Sequence, residues 1–336
     1  MIKTQRAPQE LITSDKPEFG HFDGIVKQLG VDKFQYFSEM DTPRSGLAKH
    51  FAYKQFQFIA IITPRYMIGV ALADIRYVGS SFCYVYDIKA NKLVEHNFFR
   101  PLGLGYTMTD SPYSGRSSIA GGKVAFVIED GLWQLTLNMK HIQADLRLTP
   151  LALSLPMAVC TPTGYSGWTY TQKHNGLKVS GTLTIEHEPQ PLNQALGGYD
   201  FSAGFMRRET SWRWASINGR IADKIIGVNL AAGVNETGSN ENVFWVDGER
   251  HLLGAVHFEF ERHNRDSDWR VFSDDGRVDL QFTPHNCRKE KLNLVLLKSN
   301  FRQYIGTFSG TITDTKGCVH QISNVLGLTE DHFAKW

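Results

Sequence analysis

The chain has 336 residues, 42% of them hydrophobic, with 36 basic and 34 acidic side chains and a net charge of +2. That length predicts two domains or one large one, with ample apolar material for real cores. So even a balance of charge makes no case for nucleic acid or for an anionic membrane surface as a partner.

Taken in chain order, residues 1 to about 35 read as an irregular lead-in, with one short helix expected over His21 to Leu29. The lead-in has no apolar h-region, and no run in the chain reaches membrane-spanning length, so a cytoplasmic protein without a signal peptide or membrane insertion is expected. Strands are predicted for Phe56 to Ile62, Tyr66 to Ala73, Phe82 to Ile88, Val124 to Ile128 and Leu132 to Met139, the last two joined by Glu129-Asp130-Gly131. Between them lies a Gly/Ser-rich connector from Gly103 to Gly122. Near Leu148 to Gly167 the pattern weakens at Pro150, Pro156 and Pro162, because proline in a central strand forfeits a ladder hydrogen bond. The domain boundary is therefore placed between residues 160 and 161. A second long loop is expected from Glu188 to Tyr199. These two loops are the candidates to close over a ligand.

The second half alternates clearly. Leu177, Val179, Leu183 and Ile185 alternate with polar residues, as do Val256, Phe258 and Phe260, and Val278, Leu280 and Phe282. A period of two means one buried and one wet face. Asn175-Gly176, Asn218-Gly219, Asp247-Gly248 and Asp275-Gly276 punctuate these runs and read as hairpin turns, since such pairs tolerate positive φ. The fold class is therefore all-β: two antiparallel barrel or sandwich domains side by side, with few short helices.

Cys83, Cys160, Cys287 and Cys318 form no metal knuckle or redox pair. The histidines lack zinc-binding spacing, and no nucleophile elbow or phosphate-binding glycine loop is present. No metal or cofactor is expected.

Three clusters carry candidate chemistry. In Arg207-Arg208-Glu209-Thr210-Ser211-Trp212-Arg213-Trp214 the two tryptophans share a strand face, with Glu209 close by. Desolvation near indoles raises a carboxyl pKa, as a general acid at neutral pH requires. The bland alternative is a core tryptophan pair with Glu209 bound to a neighbouring arginine. The segment Asn229 to Asn242, with Asn235, Glu236 and Glu241, offers small and amide residues for a polar ligand, or for a hard cation, although it lacks an EF-hand pattern. It also reads as an ordinary hairpin connection, followed by Trp245. His257 is the candidate histidine, on an alternating strand.

Further resemblance lies in Gly167-Trp168-Thr169-Tyr170-Thr171-Gln172-Lys173, Tyr199-Asp200, Arg208 to Trp214, Asn235-Glu236-Thr237-Gly238, Trp245-Val246-Asp247-Gly248 and Gly327-Leu328-Thr329-Glu330-Asp331-His332. Over nearly its full length the chain resembles the DUF2804 family, itself distantly similar to the calycin-like group of carotenoid 1,2-hydratase, AttH-like proteins, tocopherol cyclase and fungal Diels–Alder cyclases. The resemblance implies two lipocalin-like domains with a ligand pocket in or between them. It also implies cofactor-independent acid chemistry on an apolar terpenoid, polyketide or lipid-like molecule. The relatives usually carry Trp-Gly where this chain has Trp212-Arg213-Trp214, and the Asn235-Glu236-Thr237-Gly238 segment does not belong to the hydratases.

Three functions follow. In a hydratase, isomerase or cyclase, Glu209 would protonate an alkene while Trp212 and Trp214 stabilise the cation, with Asn229, Asn235 or Glu236 placing water or a polar head group. In a non-catalytic lipid or terpenoid carrier the same pocket would only bind. In a carbohydrate-active enzyme Glu209 would pair with Glu236 or Glu241, with tryptophans as sugar platforms.

Overall fold

The computed structural model describes residues 2–235, 238–294 and 297–336. Strand accounts for 62% of residues and helix for 3%, which makes the chain all-β, with one nearly closed barrel-shaped sheet and one half-barrel sheet. Alternating apolar runs bend into two separate cores because each sheet must bury one face.

The barrel carries, in spatial order, strands Lys92–Pro101, Val78–Asp87, Tyr66–Asp74, Lys54–Ile62, Leu196–Gly204 and Gly167–Ile185. It continues through Ile142–Thr149, Leu132–Asn138, Val124–Glu129, Gly115–Ile119 and Tyr106–Thr107. Trp133, Tyr170, Phe201 and Trp168 help fill its interior with side chains. The half-barrel runs Glu249–Leu252, Val243–Val246, Lys224–Ala232, Glu209–Ile221, Val319–Lys335, Lys298–Thr313, Val278–Asn293, Trp269–Ser273 and Val256–Glu259. Its own core holds Phe244, Trp269, Phe282 and Phe308. A further cluster joins the two sheets: Phe58, Tyr84 and Tyr86 of the barrel pack with Trp214, Ile305 and Leu328 of the half-barrel. Each such side chain removed from water contributes about 1.5–3 kcal/mol.

The sheets divide between Gly204 and Glu209, not at residues 160–161. Strand Gly167–Ile185 bonds to Ile142–Thr149 on one side and Leu196–Gly204 on the other, and the latter closes onto Lys54–Ile62. Pro162 does not end the sheet, because its strand, Met157–Thr163, is a short one that can spare a donor there. The helix expected over His21 to Leu29 is absent; Gly20–Asp23 is a strand, and a short α-helix lies instead at Gly46–Ala52, capped by the Ser45 hydroxyl.

Two of the four Asn/Asp-Gly pairs in the second half are turns. Asp247 and Gly248 both have positive φ and join Val243–Val246 to Glu249–Leu252. Gly276 serves the turn before Val278–Asn293. Asn175-Gly176 and Asn218-Gly219 instead lie inside long strands and stitch the sheets together. The Asn175 amide donates to the Val228 carbonyl at 2.6 Å and the Ser216 hydroxyl at 2.8 Å, and the Gly176 N–H donates to Asn218 Oδ1 at 2.8 Å. Gly227 makes this crossing possible, because a Cβ there would fall 2.5 Å from the Asn175 carbonyl carbon. Gly227→Ala should therefore lose about 1–3 kcal/mol in thermal melting. Gly46→Ala, with open space around the added carbon, should not; equal melting of the two variants would refute this account of the junction.

Candidate functional site

The outer face of the half-barrel presents one alternate set of side chains from four adjacent strands toward the barrel. The strand pairing sets Trp214 opposite Glu330 and Trp212 opposite His332. On the other side Gln303 pairs with Glu330 and Phe301 with His332. Arg288 and Glu290 follow in register beside Gln303 and Phe301. Facing them across a cavity of about 790 Å³ are Phe56, Phe58 and Phe82 of the barrel. Its floor carries Lys173, Asp200 and Glu241. This cavity thus lies between the sheets.

Glu330 is the most perturbed carboxyl on this wall. Burial pushes its pKa up to about 7, against hydrogen bonds that favour the charged form. Trp212 Nε1 donates to its Oε1 at 2.6 Å and Gln303 Nε2 donates to its Oε2 at 3.1 Å. Gln303 is held in turn by the Tyr84 hydroxyl at 2.8 Å. His332 lies beside it, its Nδ1 3.9 Å from Glu330 Oε1, while Nε2 meets the Ser299 hydroxyl at 3.0 Å. Burial, helped by the Arg288 charge, lowers His332 to about 3, so its ring is neutral. Its buried Nδ1 has no hydrogen-bond partner among the described residues. The ring packs edge-on to Trp212 and Phe301. Arg288 lies over the rings of Phe82 and Phe301 and is ion-paired with Glu95 and Glu290.

The floor is a buried charge cluster. Lys173 Nζ lies 2.5 Å from Asp200 and 3.1 Å from Glu241. Burial opposes the ammonium charge, but the two carboxylates outweigh it and hold Lys173 above its ordinary value. Burial raises Glu241. Lys173 also faces the Trp214 ring, 5.7 Å from its centroid.

The predicted residues separate in the folded chain. Trp212, Trp214, Glu209 and Glu241 line the cavity together. Glu209, however, sits half-exposed and bound to Lys335, whose hydrogen bond and charge lower its pKa. The desolvated carboxyl expected beside the tryptophans is Glu330, reached across the sheet rather than along the chain. Asn229 stands behind the wall, accepting from Trp214 Nε1 at 2.7 Å and donating to the Glu241 carbonyl at 2.8 Å. Asn235 donates to Glu241 Oε1 at 3.3 Å. Glu236 lies outside the described residues. Trp245 is buried elsewhere, its ring tilted against that of His174 and its N–H on the Leu155 carbonyl. His257 is exposed on another surface and pairs with Asp274 at 3.1 Å. Neither lines this cavity, because alternation alone does not say which sheet face meets the barrel. The expected closing loops, Gly103 to Gly122 and Glu188 to Tyr199, do not line it either. One signal for Glu330 is present in sequence: Leu328, Glu330 and His332 share one phase of alternation, so a carboxyl occupies an otherwise apolar or neutral face.

Among the described residues no group of three or more His, Cys, Asp or Glu is placed to hold a metal ion. No described helix is long and apolar enough to cross a membrane.

The sequence matches the family described as Domain of unknown function (DUF2804) over residues 13–336. No curated protein matches it. Among solved structures, CghA aligns over 98% of this chain and 97% of its own at 10% identity with a TM-score of 0.55. CghA with Sch210972 aligns over 84% and 88% at 8% identity, also with 0.55. Kievitone hydratase from Nectria haematococca aligns over 84% and 88% at 13% identity with 0.46. An AttH-like protein from Nitrosomonas europaea aligns over 84% and 91% at 14% identity with 0.48. At these identities the CghA alignments establish a shared fold.

Proposed function

We propose that this chain, which belongs to the DUF2804 family, is a cofactor-independent acid catalyst of the hydratase, isomerase or cyclase type, acting on an apolar small molecule. The observation that carries the reading is Glu330: a buried carboxyl with a pKa of about 7 on an aromatic-walled cavity. A carboxyl raised this far from its ordinary value still carries its proton near neutrality, which suits proton donation.

In this reading the Glu330 carboxylic acid gives its proton to one carbon of an alkene or enol, and the π pair forms the new C–H bond. The cation left on the adjacent carbon faces Trp212, Trp214 and Phe301, whose rings each contribute about 0.5–2 kcal/mol. In hydration, a water oxygen adds to that carbon and its proton returns to the Glu330 carboxylate. In isomerisation or ring closure, a neighbouring C–H bond supplies the returning proton instead. The neutral His332 accepts a hydrogen bond at Nδ1 from the attacking water or a substrate hydroxyl. Lys173 binds a carbonyl or hydroxyl head group on the floor. Glu209, which the sequence offers as the acid, stands at the rim, where Lys335 fixes its charge.

The carrier alternative uses the same cavity without proton transfer. Native mass spectrometry of the purified protein, followed by solvent extraction, identifies the bound molecule. Incubating that molecule in deuterated water should place deuterium on carbon with wild type and not with Glu330→Gln. Unlabelled ligand recovered from both would make the protein a carrier. The paired-glutamate reading gains less support, since Glu209 is ion-paired with Lys335 and Glu241 with Lys173.

A further inference from the structure

Strands Lys92–Pro101 and Val278–Asn293 belong to different sheets yet run side by side. Asn286 Nδ2 donates to the Asn91 carbonyl at 3.1 Å. Further along, Arg288 meets Glu95 at 3.0 Å and Asn97 at 3.1 Å. Continuing the same progression brings Phe99 and Leu292 to the mouth of the cavity, and both line it. The two strands then end in apolar tips that point away from either core. Phe99 is 54% exposed, Leu102 64%, Leu104 67% and Leu294 53%. Tyr77, 41% exposed, joins them, its carbonyl accepting from the Leu102 N–H. Exposed apolar side chains occur elsewhere too, as at Leu153 and Met40, but here several of them, Phe99, Leu102, Leu104 and Leu294, group around the opening of a cavity.

Basic residues are interleaved with these tips. Arg100 lies between Phe99 and Leu102; its guanidinium donates to the Phe99 carbonyl and forms no ion pair among the described residues. Lys291 and Lys298 flank the Leu292 and Leu294 tip; Lys298 adds its charge to that of Lys335 beside Glu209, so the cations there outnumber the carboxylate. Elsewhere on this face charges are matched, as in Arg288 with Glu95. The near-neutral net charge therefore conceals a local surplus of cations at the mouth.

We propose that this rim docks on an anionic lipid surface, with the leucine and phenylalanine tips entering the headgroup layer and Arg100, Lys291 and Lys298 meeting lipid phosphates. Apolar side chains beside surplus cations match the two attractions that hold a peripheral protein at such an interface. The cavity mouth then opens into the bilayer, so an apolar molecule passes from lipid to the cleft without crossing water. The inference rests on the reading of the cleft as a site for an apolar molecule, and it extends that reading to where the molecule is collected.

Co-sedimentation of the full chain with vesicles tests it. Wild type should bind phosphatidylcholine vesicles containing phosphatidylglycerol, and bind pure phosphatidylcholine about tenfold more weakly or worse. Added salt should weaken binding to the mixed vesicles. The Leu102→Glu/Leu294→Glu variant should lose about tenfold or more in binding while keeping the wild-type melting temperature, since both side chains are exposed. A wild type that stays in solution with both vesicle types would overturn the proposal. So would a double variant that sediments like wild type. If light scattering instead shows a dimer that this variant dissociates, the rim belongs to a second copy and lipid docking is overturned. Vesicle binding requires no turnover, so a protein that binds vesicles but exchanges no deuterium would retain the docking and refute the acid chemistry.

Discussion

Glu330→Gln should lower turnover by about 10²–10⁴-fold, the usual contribution of a positioned general acid. The amide keeps the shape of the side chain, and a flip of Gln303 lets its oxygen accept from the new NH₂ group. Binding of the extracted ligand should therefore change little. In wild type, turnover should fall as pH rises through about 7, because the acid form is lost there. A rate that is flat from pH 5 to 9, or a Gln variant of wild-type activity, would remove Glu330 from the mechanism.

The same substitution has a stability signature of opposite sign. A carboxyl whose folded-state pKa is raised makes its full contribution below the ordinary pKa of 4.5, and that contribution is lost as pH rises through about 7. At pH 8 wild type then bears a buried charge costing on the order of 3 kcal/mol, from the 1.36 kcal/mol equivalent of each pKa unit. Glu330→Gln should melt several degrees higher than wild type at pH 8 and show little gain below pH 4.5. Lost activity with gained stability is what distinguishes a functional buried acid from a structural one.

Lys173→Met should be the most damaging substitution in the cavity, losing about 3–5 kcal/mol. Lys173 joins Asp200 of the barrel to Glu241 of the segment leading into Val243–Val246, so it holds the two sheets together as well as forming the floor. Removing the ammonium leaves two carboxyls buried with one another. Such carboxyls take up protons, so the loss should be larger at pH 8 than at pH 5, as stability falls with rising pH for groups of raised pKa. Lys173→Met/Asp200→Asn should recover part of the loss by removing one of the stranded charges. Melting curves of the three proteins at both pH values decide the matter: a single variant as stable as wild type, or a double variant that recovers nothing, contradicts this account.

Features that depend on neighbours along the chain are legible in the residues alone. Alternation located most strands and the face of Val278, Leu280 and Phe282 that is buried, because side chains two apart share a face whatever the sheet does next. It placed Trp212 and Trp214 on one wall for the same reason. The Asp247-Gly248 turn was also local, set by φ angles that those two residues tolerate. Asn175-Gly176 and Asn218-Gly219 carry the same local signal, yet they became inter-sheet stitches, since a buried Asn amide bonds wherever a partner sheet offers carbonyls. Only the tertiary structure could decide that Glu330, more than a hundred positions from Trp212, accepts its indole N–H while the nearby Glu209 is held at the rim by Lys335. Desolvation, which raises the pKa of one carboxyl and leaves the other a surface charge, is a property of the space between two sheets, and register across strands places a residue in that space.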